Sequence, residues 1–251
     1  MTMATRSLLI HCLETDAREV LRVEPPLLAR NACLVHFATL NELRPRYEVL
    51  CDLLDEEERM RALRFRFHAD RERFELGHGW MRELLAHYTG VPAKDITFVR
   101  GRFGKPTLTK KDLCFNLSDT KDAVALAVCS TMELGLDLET LDRSVDHEAV
   151  SAHYFTPEER TTIGKSEQPK STFLELWTRK EAVLKASGVG IMDDLRSLRV
   201  NEPLNKLTIQ HTEFMAMAAP EYHVRTWRTS SGHLISLATP RPLEQAMLFG
   251  A

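Results

Sequence analysis

Two rhythms of apolar and polar positions alternate along this chain, and the alternation occurs twice. Ala32-Cys33-Leu34-Val35-His36-Phe37 reads as a first strand. Leu54-Asp55-Glu56-Glu57-Glu58-Arg59 then has an N-cap aspartate followed by acidic residues, the way a helix begins. The predicted helix is basic, with Arg59, Arg61, Arg64 and Arg66 set around Phe65 and Phe67. A second helix is expected from about Asp70 to Tyr88, ending at Gly90 as a C-terminal cap. A strand over Asp95–Val99, a turn at Gly101–Pro106 and a hairpin from Leu113 to Cys129 follow.

The second half repeats that order. Phe155-Thr156-Pro157-Glu158-Glu159-Arg160 echoes Leu54–Arg59, with Thr156 as N-cap and Pro157 at the first helical position. The helix carrying Trp177 ends before Gly188, as the helix carrying Trp80 ends at Gly90. A strand over Asp194–Val200 and a hairpin from His223 to Thr239 complete the echo. Such a long repeat, occurring twice, points to an internal duplication rather than a solenoid. The expected fold is therefore α+β, a pseudo-dimer of two similar halves, 1–131 and 132–251, with the active site in the cleft between them. Residues 1 to about 30 carry little pattern, and Pro25-Pro26 marks a turn or linker.

Two stretches concentrate the candidate chemistry. In Gly135-Leu136-Asp137-Leu138-Glu139, strand periodicity puts both carboxylates on one face and both leucines on the other. Acids embedded in so apolar a run are costly unless a cation neutralises them. In the helix Trp177-Thr178-Arg179-Lys180-Glu181-Ala182-Val183-Leu184-Lys185, the apolar stripe of Phe173, Trp177 and Leu184 leaves Glu181 at its margin and Lys185 one turn further on. Three carboxylates and a lysine suit a hard divalent cation that holds a phosphate substrate. The halves differ in charge: Arg59, Arg61, Arg73 and Lys105 lie in the first, and Asp137, Glu139 and Glu181 in the second.

Composition narrows the classes. With 251 residues, 43% hydrophobic, the chain can bury a sizeable core. Its net charge of −3 argues against bulk nucleic-acid binding. Five scattered cysteines without a CxxC indicate reduced thiols in a cytoplasmic protein. No apolar run approaches the roughly 20 residues of a membrane span, and no signal-peptide pattern opens the chain. The histidines show no HxxH or HExxH spacing, so His11, His68, His78, His87, His147 and His153 read as surface or core residues rather than zinc ligands. A GxSxG nucleophile elbow and a Walker loop are both lacking. Taken singly, Asp137 and Glu139 also fit an edge strand with solvated acids, the arginine cluster fits a solvated helix face, and Gly104-Lys105-Pro106 fits a plain turn.

Taken in order, Gly104-Lys105-Pro106, Phe115-Asn116-Leu117-Ser118, Gly135–Glu139, Phe155–Glu159 and Trp177–Lys185 resemble the 4'-phosphopantetheinyl transferases of the surfactin-synthetase-activating type, over roughly residues 54 to 240. The resemblance implies a pseudo-dimeric α+β fold. It also implies transfer of the 4'-phosphopantetheine arm of coenzyme A to a serine of an apo acyl or peptidyl carrier protein, with release of adenosine 3',5'-bisphosphate. It assigns Asp137, Glu139 and Glu181 to Mg²⁺, and Lys185 to phosphate binding and charge stabilisation. Arg61, Arg73, Lys105-Pro106, Ser118 and the position of Asp119 fall to coenzyme A. Glu159 matches an acidic position near the metal. Catalysis falls to Glu181, Lys185 and Asp137. An internal pseudo-dimer has no need of a second chain, so a monomer is expected, with neither nucleic acid nor membrane as partner.

Two positions depart from the family pattern. Asp119 stands where the family usually has a phosphate-contacting histidine, and Glu58 where relatives often have a lysine. An aspartate beside a phosphate repels it unless a neighbour compensates, so the departures bear on the nucleotide end and leave the metal end untouched. Two rival readings are a non-catalytic relative that binds coenzyme A or a carrier protein, and a metal-dependent nucleotide phosphohydrolase.

Overall fold

A computed structural model describes residues 5–21, 27–30, 32–110, 113–190 and 195–251. Pro25-Pro26 and Asp194 lie outside the described residues. The strands in chain order are β1 (Arg6–Cys12), β2 (Asp16–Arg18), β3 (Ala32–Thr39), β4 (Phe98–Arg100), β5 (Pro106–Leu108) and β6 (Cys114–Thr120). They continue with β7 (Ala123–Cys129), β8 (Gly135–Thr140), β9 (Leu204–Ile209), β10 (Glu221–Thr229), β11 (His233–Thr239) and β12 (Gln245–Gly250). The helices are α1 (Leu40–Leu43), α2 (Tyr47–Asp52), α3 (Glu56–Ala62), α4 (His68–Thr89), α5 (His147–Tyr154), α6 (Pro157–Lys165), α7 (Pro169–Ser187) and α8 (Thr212–Met217).

The internal repeat is visible in the sheets. One sheet runs β12-β3-β7-β6, and the other runs β8-β11-β10-β1-β9 with β2 beside β10. In each, one strand, then the second strand of a hairpin, then its first strand pair antiparallel in the same order: β3-β7-β6 and β8-β11-β10. The long helices α4 and α7 cover the outer faces and both stop at a left-handed glycine, Gly90 and Gly188. The helices before them, α3 and α6, open with matching capping boxes, Asp55–Glu58 and Thr156–Glu159. The architecture is α+β with two similar halves.

Both ends of the chain cross the expected boundary at residue 131, which falls between β7 and β8. From the start of the chain, β1 pairs in parallel with β10 in the second sheet. From its end, β12 pairs in parallel with β3 in the first. Each sheet thus borrows a strand from the far end of the sequence, which contiguous halves do not provide for.

The pattern of β7, Ala-Val-Ala-Leu-Ala-Val-Cys, explains the layering. Its alanines face the core between the sheets, together with Leu136, Leu138, Trp227, Ile235 and Leu237. Leu126 and Val128 point the other way, to Met81 and Leu85 of α4. Small residues on one face let the sheets approach, and large ones on the other fill the space under the helix.

Local expectations change in three places. The strand expected over 194–200 is instead a 3₁₀ turn at Leu195–Ser197. Its backbone serves a buried ion pair: Val200 N donates to Glu159 at 3.0 Å, and Lys180 donates to Leu195 O at 2.9 Å. The strand expected from Asp95 begins at Phe98, after a 3₁₀ turn at Ala93–Asp95 whose neighbouring carbonyls bind Arg82. The basic helix ends at Ala62, so Arg64 and Arg66 lie beyond it.

Candidate active site

The two sheets meet edge to edge at β6 and β8. The free N–H groups of β8 are satisfied by side chains: Leu136 N donates to Asn116 Oδ1 at 2.8 Å, and Leu138 N to Ser118 Oγ at 3.1 Å. Because strand residues two apart share a face, Asn116 and Ser118 together cap the edge that β8 would otherwise expose. Gly135 starts β8 where α7 crosses it. A Cβ there would overlap the Ala182 carbonyl oxygen and the Ala186 nitrogen, so only glycine permits this approach. The approach brings Asp137 and Glu139 of β8 beside Glu181 and Lys185 of α7, while Leu136 and Leu138 enter the core between the sheets.

A polar network closes around Asp137. Lys185 Nζ lies 2.6 Å from Asp137 Oδ1 and 3.0 Å from Ser118 Oγ, and Ser118 donates to Asp137 at 3.3 Å. Glu139 is held by Arg143, one turn beyond the strand. Burial is the dominant influence on all three carboxyls. It raises Asp137 against the pull of Lys185 and Ser118. Burial also pushes Glu139 up to about 7, against Arg143 and with some help from Asp137. Glu181 likewise rises to about 7, through burial and then the neighbouring Asp137. Asp137 thus raises both glutamates, and such a group of carboxyls is short of positive charge.

The donor set is all oxygen and fits a hard divalent cation. The three carboxylates are nevertheless not drawn together: among the described residues, the one set of His, Cys, Asp or Glu ligand atoms all within 4.8 Å of one another lies elsewhere. Repulsion separates like charges, and Asp137 and Glu139 each take the nearest cation, Lys185 and Arg143.

Several residues expected at coenzyme A are occupied within the protein. Lys105 donates to Glu133 at 2.9 Å, Leu134 O at 2.7 Å and Lys185 O at 2.9 Å, which uses all three ammonium protons. Its neighbour Pro106 opens β5. The Ser118 hydroxyl is taken by Leu138 N, Lys185 and Asp137. Arg73 is paired with Asp119 at 2.7 Å and with Asp70 at 3.0 Å. Arg61 is exposed, its guanidinium 5.1 Å from the centre of the Phe74 ring.

Glu159 does not reach the site. It is fully buried, caps α6 and pairs with the equally buried Lys180 at 2.8 Å. Glu58 is its counterpart in the first half, capping α3 and pairing with Arg82 at 2.5 Å. The two glutamates are repeat-related struts. Sequence reasoning missed Arg143 and the edge-capping of Asn116. Arg143 is four residues from Glu139, but that spacing brings side chains together only after the strand has turned.

The profile of the 4'-phosphopantetheinyl transferase superfamily matches residues 133–238, and that of the 4'-phosphopantetheinyl transferase N-terminal region matches residues 41–131. The two meet close to the junction between β7 and β8. A 4'-phosphopantetheinyl transferase from Nostoc sp., HetI, is 35% identical over 176 residues, covering 67% of this chain and 74% of its own. The chain belongs to the 4'-phosphopantetheinyl transferase superfamily. The psf-1 transferase of Bacillus pumilus is 31% identical, covering 61% of this chain and 66% of its own. The Sfp transferase of Bacillus subtilis strain 168 is 23% identical, covering 78% and 86%. The N-terminal profile spans Ser118, and the superfamily profile spans Asp137, Glu139, Glu181 and Lys185.

Proposed function

We propose that this protein transfers the 4'-phosphopantetheine arm of coenzyme A to a serine hydroxyl of an apo carrier protein and releases adenosine 3',5'-bisphosphate. The observation that carries the reading is the contact of Lys185 with Ser118 and Asp137 where the halves meet, beside the raised carboxyls of Glu139 and Glu181. Lys185 has three protons and gives two to Ser118 and Asp137, which leaves one for a phosphoryl oxygen. Its fixed charge opposes the negative charge that develops as the pyrophosphate bond breaks. Glu181, on the helix face that carries Lys185, is suited to take the serine proton. Asp137, Glu139 and Glu181 would hold Mg²⁺, which when bound supplies charge neutralisation at the pyrophosphate. Arg73 and the exposed Arg61 would lie toward the nucleotide end of coenzyme A.

The test is intact-mass analysis of an apo acyl carrier protein after incubation with this protein, coenzyme A and Mg²⁺. The expected product is heavier by one phosphopantetheine arm, and chelator abolishes it. Glu181→Ala and Asp137→Ala are each expected to lower turnover by a factor on the order of 10² or more, comparable to losing a preorganised charge-stabilising group. Near wild-type turnover in either variant would reject the assignment.

A further inference from the structure

A second group of ligand-type side chains lies outside this site, at the seam where β1 joins β10. In the parallel pairing of β1 with β10, His11 stands opposite His223, and Glu221 lies two residues before His223. Leu8, Ile10, Tyr222 and Val224 enter the core under α7, so the alternate residues His11, Glu221 and His223 share the other face of the sheet. That face is only partly covered: the core between the sheets takes Trp227 from β10 and no buried residue from β1.

The three side chains converge. The imidazoles of His11 and His223 stack with centroids 4.6 Å apart and planes 10° from parallel. Their Nε2 atoms approach one carboxylate oxygen, Glu221 Oε1, at 2.7 and 3.1 Å. Among the described residues this is the set whose ligand atoms all fall within 4.8 Å of one another. The His11 Nε2 atom is buried yet makes no hydrogen bond. It lies 2.7 Å from Glu221 Oε1, an ion-pair contact that does not count as a directional hydrogen bond. A buried ring nitrogen without a directional partner is costly, and a metal ion is one partner that satisfies it.

We propose that His11, Glu221 and His223 form a binding site for a transition-metal dication, with Zn²⁺ the best fit, distinct from the carboxylate–lysine site. Two imidazole nitrogens and one carboxylate oxygen suit zinc and its neighbours, whereas Mg²⁺ prefers oxygen alone. Zinc bonds of about 2.0–2.2 Å in tetrahedral geometry place neighbouring ligand atoms about 3.3 Å apart. To admit the ion the contacts of 2.7 and 3.1 Å would lengthen slightly, and the stacked rings would turn out of parallel so that both Nε2 lone pairs meet at it. The side chains are a quarter to two-fifths exposed, which leaves the remaining coordination position to water. The bound ion would join β1 to β10 and so fasten the first strand of the chain into the sheet built mainly by its second half.

The experiment is calorimetric titration of the metal-stripped protein with Zn²⁺ in saturating Mg²⁺. The expected result is one saturable equivalent, weakened at least about tenfold in the double variant His11→Ala/His223→Ala, since losing even an outer partner of a metal ligand costs that much. Asp137→Ala should bind Zn²⁺ as the wild type does, which separates this site from the catalytic carboxylates. The double variant should keep its magnesium-dependent turnover. In the wild type, Zn²⁺ should shift the imidazole NMR signals of His11 and His223 and leave those of the other eight histidines in place. Equal binding by the double variant, or no saturable binding up to about 100 μM, overturns the proposal. If the double variant does not fold, unmoved His11 and His223 signals in the zinc-titrated wild type overturn it instead.

Discussion

Asp119 shows how one substitution acts through its neighbour. Its carboxylate sits 2.7 Å from Arg73 Nε, so the residue in the position where the family usually has histidine holds an arginine expected to bind coenzyme A. Asp119→Asn should leave Arg73 held by Asp70 alone and remove a negative charge, lowering the KM for coenzyme A about threefold to tenfold with kcat unchanged, the pattern of uniform binding. Steady-state kinetics with an apo carrier protein checks it; an unchanged or higher KM would show that Arg73 does not serve coenzyme A. His36 gives a second prediction at this scale. Burial pushes its imidazole down to about 4 from 6.5, and its Nε2 is 2.7 Å from the Tyr88 hydroxyl. The unfolded chain therefore takes up this proton first as pH falls. The stability from a neutral His36 is full above about pH 6.5 and is lost as pH drops toward 4, by about 2 kcal/mol between pH 7 and 5. His36→Gln should lose correspondingly less stability over that interval in urea melts; an identical loss in both proteins would remove His36 as the cause.

Among the elements, the contact between β8 and α7 decides the geometry of the site. Gly135 gives the strand its close approach, and the carboxylates two and four residues later inherit their position from it. Gly135→Ala would drive a methyl group into helix backbone, which cannot rotate away as a side chain can. A loss of about 2–3 kcal/mol is expected, together with a fall in turnover as Asp137 moves from Lys185. Thermal unfolding and the mass assay test both parts, and a variant with wild-type stability would show that the helix yields freely. The paired struts Glu58–Arg82 and Glu159–Lys180 show that the duplication extends to buried charges. The echo of Leu54–Arg59 in Phe155–Arg160 puts Glu58 and Glu159 at matching positions without showing what they hold, because each cation lies on the following helix and becomes a partner only once the helices pack.

Across the whole molecule, the ends of the chain determine how the halves are joined. Because β12 pairs with β3 and buries Leu248 and Phe249, removing residues 245–251 strips a strand from the first sheet although the cut lies in the second half of the sequence. Hydrogen exchange in the truncated protein should rise most in β3, β7 and α4, the elements of that sheet and its helix. Exchange that rises instead only around β10 and β11 would show that the two halves do not depend on this pairing.

The sequence by itself determined the starts of α3 and α6, because capping residues act on backbone groups within one turn. It also determined the glycine stops, the two hairpins, the repeated order of elements and the common face of Asp137 and Glu139, all governed by periodicity and neighbours a few residues apart. Only the tertiary structure decided what each polar group touches: that Lys105 is spent on three acceptors within the protein, that Glu159 is a buried strut, that Asp119 meets Arg73, and that His11 meets His223. Those pairings join residues far apart in the chain. Their partners are selected by the packing of sheets and helices, which local spacing does not record.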